Sequence, residues 1–380
     1  MAGSVALDSQ LSDSLRIAVC HDWLTNLSGS DQVAREIVRA LGARDVFTFA
    51  ADPALARSLF PDQRVQVHRL GLTPLARRKW RWMLPLMPHA WRALDLSDFD
   101  LVVTSSHAFV NSIRPPLGTP IVSYCHTPMR YAWDWQLERG RFGQPLRAQW
   151  PRIARTLSRI DAQNAQRVTL FLANSHHVRQ RIRRYYGRDS VVVYPPIDTE
   201  FWTPSLETDE REDFFLLAGR LVAYKRVDVV IEAAARAGAP LVVASSDPEL
   251  QQLRTVVGPK VRLVQRPSRE QLRVLYRRAR ALVFAGVEDF GMMMVEAQAC
   301  GTPVIAFAEG GACETVLDGE TGSLYSDPSP HALARILASF DPGGFSRKRL
   351  RRQALRFGKE RFDQEFRQAI ATVVGRGAST

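Results

Sequence analysis

Two series of short apolar runs, each followed by a turn and a stretch of helical composition, limit what this chain can fold into more than any other feature. The first is Leu15–Cys20, Val46–Phe49, Leu101–Ser105, Ile121–Cys125 and Thr169–Ala173. The second is Phe214–Ala218, Leu241–Ala244, Val261–Val264, Ala281–Phe284 and Pro303–Ala306. Near-continuous apolar strands that alternate with helices read as parallel sheets covered on both faces. Tyr194-Pro195-Pro196-Ile197-Asp198 cannot continue a helix, and with the acidic stretch from Glu207 to Asp213 it marks a linker. At 380 residues the chain is too long for one ordinary core. The expected class is α/β, with two doubly wound domains at 1–206 and 207–357 and a terminal helix at 358–380.

Composition narrows the setting. Hydrophobic residues at 46% and charged residues at 24% fit a soluble globular protein. No run approaches the roughly 18 apolar residues of a spanning helix. Met1 to Ser14 lacks the basic and apolar regions of a secretory signal. Four scattered cysteines form no C-x-x-C pair, as in a reducing compartment. A cytoplasmic location is expected. The net charge of +12 lies mostly in residues 1–200 and implies an anionic partner. Within segment 74–92, Arg77, Arg78, Lys79, Trp80, Arg81 and Trp82 mix cations with tryptophan, as an interfacial helix does, which would hold the protein peripherally on an anionic membrane surface. A partly buried helix with a basic outer face reads equally well.

Residues 286–301 carry the chemistry. Glu288 and Glu296 flank Gly291, which marks a turn between the run Ala281–Phe284 and a helix. That order puts Glu288 at the carboxyl edge of a sheet, where open α/β sheets bind ligands. The free amides around Met292 and Met293 would meet an anion. Glu288-Asp289-Phe290-Gly291 through Val295-Glu296-Ala297, with Gly301-Thr302-Pro303 and Gly310-Gly311-Ala312-Cys313-Glu314 after it, resembles the E-x7-E region of family 4 of the retaining GT-B glycosyltransferases. Met294 departs from the proline or small residue common there. The resemblance implies two Rossmann-like domains facing a cleft, the last helix returning to the first domain, and a nucleotide-sugar donor. Glu296 would hold the ribose diol, which a carboxylate can bind with two hydrogen bonds. Glu288 would bind the sugar hydroxyls, with Phe290, Gly291, Met292 and Met293 along the donor.

Other motifs support the same resemblance. Gly219-Arg220-Leu221, with Lys225 and Asp228, matches the family's G-R-L-x-x-x-K-x-x-D pattern, and the two cations would stabilise a departing diphosphate without a metal. No D-x-D motif stands at the carboxyl end of an expected strand, so neither a divalent ion nor another cofactor is expected beside the co-substrate. Ser123 through Asp134 resembles a signature of bacterial O-antigen and exopolysaccharide mannosyltransferases. In relatives the histidine matching His126 contacts the donor sugar and supports the leaving phosphate; Arg130 and Trp133 would position substrate or brace the loop. Gly29, Ser30 and Asp31 stand where relatives have a glycine-glycine-glutamate turn near the diphosphate, and Asp22 is an acceptor-side or capping group. Gln265 and Arg266 would meet the base.

The function expected is transfer of a hexose, mannose from GDP-mannose, to a lipid-linked oligosaccharide or lipid acceptor, with a UDP-sugar as the alternative donor. A polyanion or nucleic-acid binder would explain the charge but gains nothing from Glu288 and Glu296. A phosphorylase of similar fold would need a pyridoxal lysine.

Overall fold

The computed structural model describes residues 15–73, 83–138, 146–205, 211–255 and 257–377. The membrane-binding residues expected at Arg77, Arg78, Lys79, Trp80, Arg81 and Trp82 lie outside that set. The chain divides into two compact units, Met1–Tyr194 with Glu360–Thr380, and Pro195–Lys359. The division falls at the prolines, ahead of position 206. Asp198 explains why: it pairs with Arg269 at 2.9 Å and Lys359 at 2.8 Å, which ties the segment after the prolines to the second unit.

The first unit is built on strands β1 (Ile17–His21), β2 (Asp45–Thr48), β3 (Arg64–Val67), β4 (Leu101–Ser106), β5 (Ile121–Cys125), β6 (Leu170–Ala173) and β7 (Val191–Val192). They form one parallel sheet in the order β3-β2-β1-β4-β5-β6-β7. The order reverses between β1 and β4, so the chain leaves those neighbours in opposite directions and opens a crevice at their carboxyl ends. Every residue of β1, β4 and β5 is buried. Helix α1 (Gly29–Leu41) starts where Asp31 accepts the Ser28 backbone N–H at 2.7 Å and stops at Gly42, whose φ of 61° is left-handed.

The second unit carries β8 (Phe215–Ala218), β9 (Leu241–Ser245), β10 (Val261–Gln265), β11 (Ala281–Phe284), β12 (Val304–Phe307) and β13 (Gly322–Tyr325). This sheet is also parallel, in the order β10-β9-β8-β11-β12-β13, and reverses between β8 and β11. Helix α2 (Met292–Ala299) follows β11, and α3 (Arg347–Leu355) returns toward it: Arg351 of α3 donates to the Ala299 carbonyl at the end of α2 at 3.4 Å, and to the carbonyls of Thr199 and Trp202 at 2.7 and 2.6 Å.

The terminal stretch is a pair of helices. After α3 the chain breaks around Gly358, and α4 (Lys359–Gly377) belongs to the first unit from Glu360 on. There Phe362 and Phe366 stack on each other at 5.3 Å between ring centres and meet Tyr124 of β5 at 5.9 and 6.3 Å. Both phenylalanines are fully buried. The Tyr124 hydroxyl donates to the Val193 carbonyl at 2.9 Å, and Arg361 donates to the Tyr194 carbonyl at 2.9 Å, so α4 is fixed to the last segment of its unit.

Candidate active site

In the second unit the reversal between β8 and β11 brings the expected phosphate and sugar residues together. Gly219 follows β8 with φ of 111°, and a Cβ there would lie 2.7 Å from Met293 Sδ and 3.3 Å from Lys225 Nζ. The positive φ favours glycine here, while the atoms a Cβ would meet are the mobile ends of the Met293 and Lys225 side chains. Lys225 Nζ sits 3.0 Å from Glu288 Oε1 and 5.1 Å from the centre of the Phe284 ring. Both members of the pair are mostly buried, so each neutralises the other in a poorly hydrated setting. Gly286 permits the approach, since a Cβ on it would lie 2.1 Å from the Tyr224 carbonyl oxygen. Gly310 and Gly311 let a second loop pack on Glu288 and Phe290, and the Gly311 N–H donates to the Glu288 carbonyl at 2.8 Å. Arg220, next after Gly219, is exposed.

Glu296 is on the first turns of α2 and is buried. The Tyr276 hydroxyl donates to its Oε2 at 3.2 Å. Burial pushes the Glu296 carboxyl up to about 7, against the hydrogen bond from Tyr276 and the charge of Arg269, which pull it down. Gly291, with φ of 92°, begins α2, and its position leaves the amides of Met292 and Met293 at the helix amino end. Gln265 ends β10 and donates to the Asp247 carbonyl at 3.0 Å, so its amide is committed to the loop after β9. Arg266 follows in a left-handed conformation, φ 50°, which is unusual for a residue with a side chain.

The first unit collects polar side chains at its own reversal point. His21, the last residue of β1, pairs in register with Ser105 of β4. Its Nε2 lies 2.8 Å from Asp31 Oδ1 and its Nδ1 3.0 Å from Ser105 Oγ. His126, just after β5, places Nε2 2.7 Å from the same Ser105 oxygen. Burial, then the neighbouring His107 and His21, hold the His126 imidazole well below the ordinary histidine value. Gly29 and Ser30 form the first turn of α1, where Ser28 Oγ and Ser30 Oγ lie 2.8 Å apart.

Of the two expected readings of Asp22, acceptor-side or capping, its geometry is that of a cap. It is wholly buried, and its two oxygens accept the backbone N–H groups of His107, Ala108, Phe109 and Val110 at 2.8–2.9 Å. A carboxylate so committed shapes the loop after β4. Trp133 braces, as one of its two expected readings has it: the indole N–H donates to Asp161 at 2.8 Å and the ring stacks on Tyr185 at 4.6 Å. Arg130 opens the short helix Arg130–Trp133 and is half-buried. Ser105 is a buried group with no sequence signal, an ordinary strand serine until the fold sets it between His21 and His126.

Comparison with known proteins fits this geometry. Residues 27–201 match the model described as Glycosyltransferase Family 4, and residues 198–357 match Glycosyl transferases group 1. The chain joins a glycosyltransferase family 4 domain to a group 1 domain. Over 153 residues it is 37% identical to the D-inositol 3-phosphate glycosyltransferase of Mycobacterium sp. (strain KMS), a match covering 35% of each chain. Over 202 residues it is 33% identical to the protein of that name from Mycolicibacterium gilvum, covering 46% of each. The alignments thus span about a third to a half of these relatives' length. Sucrose-phosphate synthase from Thermosynechococcus elongatus superposes with a TM-score of 0.70 at 22% identity, covering 95% of this chain and 99% of that one. Anabaena HepE in complex with UDP and glucose does so with a TM-score of 0.67 at 18% identity, covering 94% and 99%. The fold is GT-B. In these terms the group 1 domain holds Arg220, Lys225, Glu288 and Glu296, and the family 4 domain holds His126.

Proposed function

We propose that this chain is a retaining glycosyltransferase that moves a hexose, mannose from GDP-mannose, to a lipid-linked oligosaccharide or lipid acceptor. The observation that carries the reading is the meeting of Lys225, Glu288 and the amino end of α2 at the β8–β11 reversal. A diphosphate placed there meets a cation, free amides and a helix dipole of the right sign. Glu288 beside Lys225 then has an oxygen for sugar hydroxyls, and Glu296 for the ribose diol. Gln265 and Arg266 close the base end, through backbone groups in the case of Gln265. His126 is assigned to the donor sugar.

In this mechanism the acceptor hydroxyl attacks on the face the diphosphate leaves, and the departing phosphate oxygen takes its proton. Arg220, Lys225 and the α2 amides absorb the charge that develops as the glycosidic bond breaks. No second carboxylate acts as nucleophile, and the charges present do the work otherwise given to a divalent ion. The basic first half is assigned to an anionic membrane surface, which would bring the lipid acceptor to the enzyme, and nucleic acid has no part in the reading.

A UDP-sugar is the second reading of the donor, favoured by the UDP held in the HepE complex. Competition of GDP-mannose, UDP-glucose and UDP-N-acetylglucosamine for the protein decides between them. Preferential retention of GDP-mannose is expected; preferential retention of either uridine nucleotide overturns mannose and leaves the transferase, and binding of none of the three overturns both. The anomeric proton of the product, read by NMR, tests retention.

A further inference from the structure

Four side chains of the first unit form a continuous file: Asp31 Oδ1 to His21 Nε2 at 2.8 Å, His21 Nδ1 to Ser105 Oγ at 3.0 Å, and Ser105 Oγ to His126 Nε2 at 2.7 Å. Asp31, His21 and Ser105 are buried at 2%, 0% and 0% exposure, so bulk water does not reach these three, while His126 at the end of the file is half-buried. The file is built in by the fold. The β1–β4 register sets His21 beside Ser105, and the turn that caps α1 delivers Asp31. The site reading assigns no role to Asp31, His21 or Ser105.

Each link in such a file has one donor, and the order is set from the anchored end. The Asp31 carboxylate already accepts the Ser28 backbone N–H at Oδ2, 2.7 Å away, and accepts again at Oδ1, so His21 carries its hydrogen on Nε2. With that single hydrogen on its ring, His21 has a lone pair at Nδ1, to which the Ser105 hydroxyl donates. That hydroxyl has spent its one hydrogen, so His126 must donate to it from Nε2. A neutral His126 with its hydrogen on Nε2 has a lone pair on Nδ1.

We propose that Asp31, His21 and Ser105 are positioning residues that hold His126 as its Nε2–H tautomer, so that Nδ1 accepts a hydrogen bond from a hydroxyl of the bound substrate. An acceptor nitrogen selects hydroxyl donors and disfavours a phosphate oxygen, which has no hydrogen to give. His126 therefore reads the sugar and leaves the diphosphate to other groups. Naming the hydroxyl as a sugar's rests on the proposed function; the tautomer does not.

The test is a two-bond 1H–15N spectrum of the full chain labelled with 15N-histidine, with the His126 signals assigned by their loss in His126→Gln. A protonated Nε2 and an unprotonated Nδ1 are expected at neutral pH. In Ser105→Ala the His126 nitrogens should shift toward the averaged values of two exchanging tautomers, and Ser105→Thr, which restores the hydroxyl, should return them. His21→Gln is the second variant should Ser105→Ala fail to fold, with the same averaging expected. A wild-type His126 protonated at Nδ1, or variant spectra with His126 unchanged, would overturn the proposal. Because no donor is present, this failure is separate from failure of the glycosyltransferase reading, which donor binding alone decides.

Discussion

At the scale of single residues, what decides the site is how far each charge is removed from water. Glu296 is the clearest case, because burial raises its carboxyl to about 7 while an unfolded chain would titrate near 4.5. The sign follows. At low pH the group is neutral in both states and costs nothing. As pH rises from about 4.5 to 7 the unfolded carboxyl ionises first, so wild-type stability falls across that window. Glu296→Gln removes this loss, and urea unfolding at pH 5 and pH 8 should show the variant gaining relative stability at pH 8, on the order of 3 kcal/mol at most. Equal differences at both pH values would contradict the burial argument. Ribose binding should run the other way, needing the ionised acceptor and weakening below about pH 7 in wild type alone. The pattern Glu288 to Glu296 was legible from spacing around Gly291. The fate of Asp22 was not, because its four backbone partners at 107–110 lie across a strand crossover that one segment cannot reveal.

At the scale of elements, glycines set the distance between loops. Gly286 holds the Tyr224–Lys225 backbone against the end of β11, where an added Cβ would fall 2.1 Å from the Tyr224 oxygen and 2.5 Å from Lys225 Cα. Gly286→Ala should therefore push Lys225 away from Glu288 with the sheet intact. A displacement near 1 Å costs about 100-fold in rate at such sites, so kcat of a folded variant should fall by that order; wild-type kcat would show that the Lys225 position is not critical. The long apolar runs at β1, β4, β5, β8, β9 and β11 were readable because both faces are covered. Strands β3, β7 and β13 escaped: β3 alternates exposed and half-buried residues at a sheet edge, β7 has two residues, and β13 begins at a glycine.

At the scale of the whole molecule, the two sheets share one device, a crevice at the point where strand order reverses, and α4 closes the first unit with residues from the far end of the chain. Phe366→Ala should cost about 3–5 kcal/mol of stability, as for other large buried aromatics, through loss of its contacts with Phe362 and Tyr124. Chemical denaturation reads the loss directly, and a change below about 1 kcal/mol would mean α4 adds little to that core. Helix α4 opens one residue after the start expected for the terminal helix at 358–380; what sets the boundary between α3 and α4 is the break at Gly358 and Asp198 holding Lys359, long-range features no single segment displays. In the proposed reading the β8–β11 edge binds a nucleoside diphosphate. Calorimetric titration of GDP and UDP into the wild type and Lys225→Ala should show saturable binding of one nucleotide, weakened about tenfold or more by loss of the lysine charge. Failure of folded wild type to bind either, or equal affinity in Lys225→Ala, would contradict it.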